Sequence, residues 1–177
     1  PFTPWSDRDP DMADAAHTLG LTKHIGRAEQ DAWAVESHAK ALSQPPTLEE
    51  IVPIDGLRSD PFARRMTPAL CQRAKIIAGD VTTANSAVAA DAAAFCIVVS
   101  DRIARRLGHR ALRINGGITL GGDPMCPGLA PVSAVRKTLK HANLTADGLD
   151  VVEVMEAYAV QAIACVRGAE IDPHIVN

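Results

Sequence analysis

Short apolar runs of strand length, set apart by stretches with helical spacing, constrain the architecture of this chain: EEIVPI (49–54), AAAFCIVVS (92–100), ALRIN (111–115) and DVVEV (150–154). Strands that alternate with helices argue an α/β class. Aromatic residues are only 3% of the 177, and Ala, Val, Ile and Leu dominate the apolar 47%. Small and β-branched side chains suit helices packed on a buried sheet better than an aromatic-rich sandwich. The run 92–100 reads as a buried strand or a helix feeding one. HIVN (174–177) reads as the first residues of another strand.

The helical stretches carry their own signals. DMADAAHTL (11–19) suits a short helix. From about Gly26 to Leu42, the residues Ala28, Ala32, Val35, Ala39 and Leu42 form a stripe at helical spacing, and Gln44 to Pro46 stop it. Ser100 or Asp101 caps a helix that Gly108 ends. Pro131 opens another, with Val132, Val135 and Leu139 on one face. Ala157 to Arg167 forms a further one, with Ala159, Ala162, Ile163 and Val166 inside. The polar stretch 56–78 reads as a surface excursion.

Composition excludes several functions. A net charge of −3 and scattered basic residues leave no footprint for nucleic acid. Arg102, Arg105 and Arg106 read as the solvated face of a short helix. Cys71, Cys96, Cys126 and Cys165 form no CxxC pair, so a zinc ribbon is not expected, and the scattered histidines have no metal-ligand spacing. His38 reads as a surface residue. Cys96 and Cys165 lie in apolar runs and read as reduced core thiols, which fits a cytoplasmic protein. No apolar run reaches membrane-spanning length and no signal peptide is seen, so no membrane partner is expected. GGITLGG (116–122) lacks the Lys-Ser ending of a phosphate loop.

Stretches in a fixed order resemble the thiolase family. RAEQDAWAVESHAKAL (27–42) is similar to the thiolase pattern Arg-x-x-Gln-Asp-x-Phe-Ala-x-x-Ser. GDVTTANSAVAADAAA (79–94) resembles Thr-Val-Thr-Ala-Gly-Asn-Ala-Ser with the Asp-Gly-Ala-Ala that follows it. APVSAVRKTLKHANLTADGLDVVEVMEAYAVQA (130–162) resembles a segment containing Asn-Glu-Ala-Phe-Ala-x-Gln, and GGDPMCPG (121–128) resembles the Asp-Pro segment before it.

The resemblance implies a thiolase fold, layered αβαβα and incomplete in this chain. Residues 1–88 would be the remainder of the loop domain, 89–109 the end of the N-terminal half and 110–177 the first part of the C-terminal half. The implied activity of the parent is thiolytic cleavage or Claisen condensation of acyl-CoA thioesters, with coenzyme A as substrate and no tightly bound cofactor. The implied partners are acyl-CoA or CoA and a homo-oligomer (dimer or tetramer) or a partner thiolase chain. The nucleophilic cysteine, the Gly-His-Pro motif and the Cys-x-Gly motif of the family have no counterpart here. No catalytic residue is therefore assigned, and the chain alone is expected to be inactive, with apolar strand faces exposed.

The site residues that the resemblance implies are Thr83, Ser86, Ala87, Ala157 and Tyr158 as walls of the pantetheine tunnel. Arg58 stands either as a cation near the CoA 3′-phosphate or as a solvated surface arginine, with Arg64 and Arg65 as similar candidates. Met155 occupies the family Asn position, Ala87 the serine position, Tyr158 the Phe position and Asp11 a loop-domain His position. A thioether donates no hydrogen bond. Met155 is thus part of a more apolar acyl pocket or marks a site that has lost its chemistry. The alternative function is a non-catalytic, CoA-binding thiolase-like subunit or scaffold.

Overall fold

The computed structural model describes residues 3–43 and 50–177. Helix α1 (Met12–Lys23) opens on Asp11, whose carboxylate accepts from the N–H groups of Ala13 and Asp14. It runs past Leu19 because His24, in the left-handed region, supplies its N–H to the carbonyls of Gly20 and Leu21. Helix α2 (Arg27–Ser43) follows, then the short α3 (Pro68–Gln72), which is capped by the Thr67 side chain. Strands β1 (Ile76–Ala78) and β2 (Val81–Thr82) pair antiparallel. Their turn needs Gly79: its φ is +51°, and a Cβ there would lie 2.1 Å from the His17 ring. Helices α4 (Asp101–Leu107), α5 (Ala130–Ala142) and α6 (Ala159–Gly168) complete the order. Ser100 caps α4 and Gly108 ends it in the left-handed region, as their residue types predict.

The core forms around α6. Every residue from Ala159 to Val166 is buried, and all of them but Gln161 are apolar, so this stretch has to be enclosed. Ala13, Ala16 and Leu19 of α1, with Ile25 and Val81, pack on Val160, Ile163 and Ala164. Val166, Ala169, Ile171 and Val176 form a second cluster with Val135 of α5. A fully buried aliphatic side chain such as Val160 contributes about 1.5–3 kcal/mol.

Several sequence expectations are corrected. The stripe expected on α2 is not its buried face: Ala28, Ala32, Ala39 and Leu42 are exposed, whereas Gln30, Asp31 and Ala34 are buried. The polar groups win because they have partners inside. Gln30 Nε2 donates to the Ile25 carbonyl at 3.0 Å, and Asp31 receives the Arg27 guanidinium at 2.7 Å. The surface excursion at 56–78 holds α3 and β1, which local Thr-Pro capping and β-branched residues explain.

The buried strand, or helix feeding one, expected at 92–100 is not formed, the strand expected at 111–115 forms no ladder, and Phe95, Ile97 and Leu112 are each more than nine-tenths exposed. Their residues suit a strand, but a strand forms only against a hydrogen-bonding neighbour. Cys96 is accordingly exposed rather than in the core. Segment 151–156 alternates outward and inward in strand fashion, yet only Val152 bridges, in parallel, to Val176. HIVN begins in a 3-10 turn (Pro173–Ile175). Of EEIVPI, Glu49 lies outside the described residues, 50–53 form no strand, and Ile54 makes a single bridge to Leu57. The stop at Gln44–Pro46 also lies outside the described residues.

Asn85 joins these parts. Its side-chain oxygen accepts from the Thr82 N–H at 2.8 Å, and its amide nitrogen donates to Asp31 Oδ1 and to the Asp80 carbonyl, both at 3.1 Å. Its own carbonyl accepts from the Ala159 N–H at 2.9 Å. Asn85→Leu removes the side-chain bonds and leaves a buried carboxylate oxygen unpaired. A loss of about 2–4 kcal/mol is expected in urea unfolding, against under about 1 kcal/mol for Thr83→Ala at the exposed neighbouring position.

Candidate functional site

The 85–87 segment runs antiparallel to 157–159. Ser86 bridges Tyr158, and Ala87 N–H donates to the Ala157 carbonyl at 2.9 Å. This pairing brings together Ser86, Ala87, Ala157 and Tyr158, with Thr83 in the turn before them. The Ser86 hydroxyl is already committed, since it donates to the Thr82 carbonyl at 2.7 Å. Thr83 and Ala87 are exposed.

A cleft and a cavity flank this pairing. The cleft, of about 880 Å³, is lined by Thr83, Ser86 and Ala87 facing Trp33, His38 and Arg64. Arg58 lies exposed outside its lining, and Arg64 is the arginine the structure places there. Glu156 anchors the cleft floor: Trp33 Nε1 and Ser37 Oγ of α2 each donate to its carboxylate at 2.6 Å. Trp33 and Ser37 lie one turn apart on α2, so both meet the same carboxylate.

The cavity is narrower and apolar, about 370 Å³, between α1, α6 and the 152–158 segment. Met12, Leu19, Val154, Tyr158 and Gln161 line it, and Met155, 83% exposed, stands at its border. Gly128 lets the 121–128 loop approach α1 and α6, because a Cβ there would lie 3.0 Å from Leu19 Cδ2 and 3.4 Å from Gln161 Cγ. The Cys165 thiol donates to the Gly128 carbonyl at 3.1 Å.

The titratable groups follow their surroundings. Burial raises the Cys165 thiol, and burial with the nearby Asp31 charge raises Cys71, so both stay protonated and unreactive. Burial, then the Asp11 charge, raises the Tyr158 phenol, which keeps it a hydrogen-bond donor. His38, expected on the surface, is half-buried; burial and then Arg64 lower its pKa. Its ring nitrogen accepts from the Arg64 N–H at 3.4 Å, which needs the neutral imidazole.

Sequence reasoning did not single out Trp33, Ser37, Glu156 or Gln161. Glu156 and Gln161 lie inside the matched motifs, and Trp33 and Ser37 have one-turn spacing; these were the available signals. Among the described residues no cluster of His, Cys, Asp or Glu could hold a metal ion, and no helix is long and apolar enough to cross a membrane.

Residues 109–177 match the family model described as thiolase, C-terminal domain. A 3-ketoacyl-CoA thiolase of Photorhabdus laumondii is 31% identical over 197 residues, covering 95% of this chain and 51% of its own length. The dimeric peroxisomal thiolase of Saccharomyces cerevisiae superposes with a TM-score of 0.76 at 26% identity, over 94% of this chain and 46% of that one. The chain belongs to the thiolase family. A human mitochondrial 3-ketoacyl-CoA thiolase solved in complex with CoA gives a TM-score of 0.75 at 27% identity, over 93% of this chain and 45% of that one. The chain thus spans about half the length of the thiolases it matches, and its helices and short strands are an incomplete thiolase fold.

The depressed His38 pKa fixes a sign. The folded state holds the imidazole neutral, so the unfolded chain binds the extra proton between the lowered value and the ordinary 6.5. Stability contributed by His38 is full above 6.5 and is lost as pH falls through that window. Thermal melts between about pH 7 and 5 should show the wild type losing stability relative to His38→Gln.

Proposed function

We propose that this chain is the substrate-binding part of a thiolase-type acyl-CoA acyltransferase, in which a cysteine elsewhere in the protein carries the acyl group. The carrying observation is the 85–87/157–159 pairing, which stands between the wide cleft that holds His38 and Arg64 and the smaller apolar cavity. The cleft has the size of a cofactor site, and Arg64 offers a cation to the phosphates of CoA. Thr83, Ser86, Ala87, Ala157 and Tyr158 form the passage for the pantetheine arm, and the apolar cavity takes the acyl group. This chain supplies walls and hydrogen bonds. Its buried thiols Cys71 and Cys165 are shielded from nucleophilic work. Residues 1–88 then belong to the loop domain, 89–109 to the N-terminal half and 110–177 to the C-terminal half, in a protein that assembles as an oligomer.

Met155 supports a second reading, a CoA-binding subunit without turnover, because a thioether cannot donate to a thioester oxygen. The full-length protein separates the two by CoA titration and a thiolysis assay on 3-ketoacyl-CoA. The first reading expects micromolar CoA binding with turnover, and Met155→Asn changes kcat by about tenfold or more. Binding without turnover selects the subunit. In either case Ala87→Trp, which fills the passage, should weaken CoA binding by about tenfold or more. No binding by the wild type overturns both readings.

A further inference from the structure

A second pocket adjoins the apolar cavity, and the acyl-CoA reading leaves it unused. It measures about 290 Å³ and lies between the segment before α1 and the loop that leads into α5. Pro4, Trp5, Pro10 and Pro124 are among its walls. Met12 and Pro127 line both the inner cavity and this outer pocket, so the two meet at those residues. A methionine side chain is unbranched and turns about three bonds, so it yields readily to a chain that passes it.

Trp5 is held in place although it is not buried. The Thr3 N–H donates to Asp9 Oδ1 at 3.2 Å, and the Thr3 hydroxyl lies 2.9 and 3.0 Å from the Trp5 and Arg8 carbonyls. The Arg8 N–H returns to the Trp5 carbonyl at 3.0 Å, closing a 3-10 turn (Ser6–Arg8). The backbone of Trp5 is thus fixed while the residue stays 57% exposed at the pocket wall. An indole so placed offers a large apolar face to whatever enters.

The charges of the outer pocket narrow its occupant. Its carboxylates are Asp9 and Asp123, and Asp123 Oδ1 accepts from the Met125 N–H at 3.0 Å. Among the described residues its lining holds no basic side chain. An acyl chain that ends in a carboxylate would meet like charge there. A hydrocarbon end meets the indole and the proline rings.

We propose that the outer pocket takes the distal end of a long, methyl-ended acyl chain whose first part fills the inner cavity, and that Trp5 selects for that length. This rests on the acyl-CoA reading above and names the substrate class of that site. Apolar surface buried beyond Met12 adds affinity in proportion to its area. A short acyl group ends inside the inner cavity and gains nothing from Trp5.

The test is calorimetric titration of the full-length protein with unreactive S-hexyl-CoA and S-hexadecyl-CoA thioethers, and with a hexadecyl analogue whose far end is a carboxylate. The hexadecyl analogue is expected to bind about tenfold or more tighter than the hexyl one, and the carboxylate-ended analogue to lose that gain. The hexadecyl-to-hexyl ratio should fall about fivefold or more in Trp5→Ala, with circular dichroism confirming the fold. Tryptophan emission gives a second reading in the wild type: the hexadecyl analogue shifts it to the blue relative to the hexyl one, and Trp5→Ala lacks that shift. No preference for the hexadecyl analogue, equal binding of its carboxylate-ended form, a ratio that survives in Trp5→Ala, or emission blind to chain length overturns the inference, while CoA binding keeps the broader reading. Failure of CoA and every analogue to bind overturns both.

Discussion

Asn85 sits where three otherwise separate pieces of chain must agree. Its side chain holds the turn after β2 through Thr82 and Asp80 and grips Asp31 on α2, while its carbonyl receives the first amide of α6. A side-chain amide is suited to this because it donates and accepts at once. The result is a fixed register between 85–87 and 157–159, and that register decides which residues face the site. Arg27 extends the same network by pairing with Asp31 and donating to the Cys71 carbonyl. The polar interior of α2 is thus an anchoring surface for the site.

Strand geometry divides the labour on the other side. Between 151 and 156 successive residues point alternately out and in. Glu156 turns towards α2, where Trp33 and Ser37 hold its charge with two short bonds. Met155 turns the other way, to the border of the apolar cavity. A polar change at 155 therefore leaves the Glu156 anchor in place, and a change at 156 would loosen the wall shared by cleft and cavity. The Met155 side chain is mostly exposed, so the fold itself places little demand on that position.

Local signals in the sequence were reliable. Ser100, Gly108 and Pro131 mark helix ends by chemistry that acts within one turn, and α4 and α5 follow them. The resemblance brought forward Thr83, Ser86, Ala87, Ala157 and Tyr158, and these do lie together, because motifs far apart in the chain meet through main-chain pairing. Properties that depend on distant partners could not be read. The buried face of α2 is set by Asn85, Glu156 and Ile25 rather than by its own apolar stripe. The run at 92–100 has the composition of a buried strand but no neighbour to bond. Arg58 and Arg64 have the same charge in the same loop, and only the path of the backbone places Arg64 at the cleft.

The enclosure of α6 has a dynamic consequence. Its backbone amides from Gln161 to Val166 bond within the helix and lie beneath α1, α2 and α5, so only the last turn, at the exposed Arg167, offers a local route to water. Proton exchange there must wait for the surrounding helices to separate, which makes α6 a reporter of global unfolding. The exposed runs at 92–99 and 111–114 stand at the opposite limit, with amides free to exchange while the core stays intact. The cavity walls therefore join the slowest-opening part of the molecule, along Gln161 and Cys165, to the 152–158 segment, which is held by fewer bonds and can adjust to what binds.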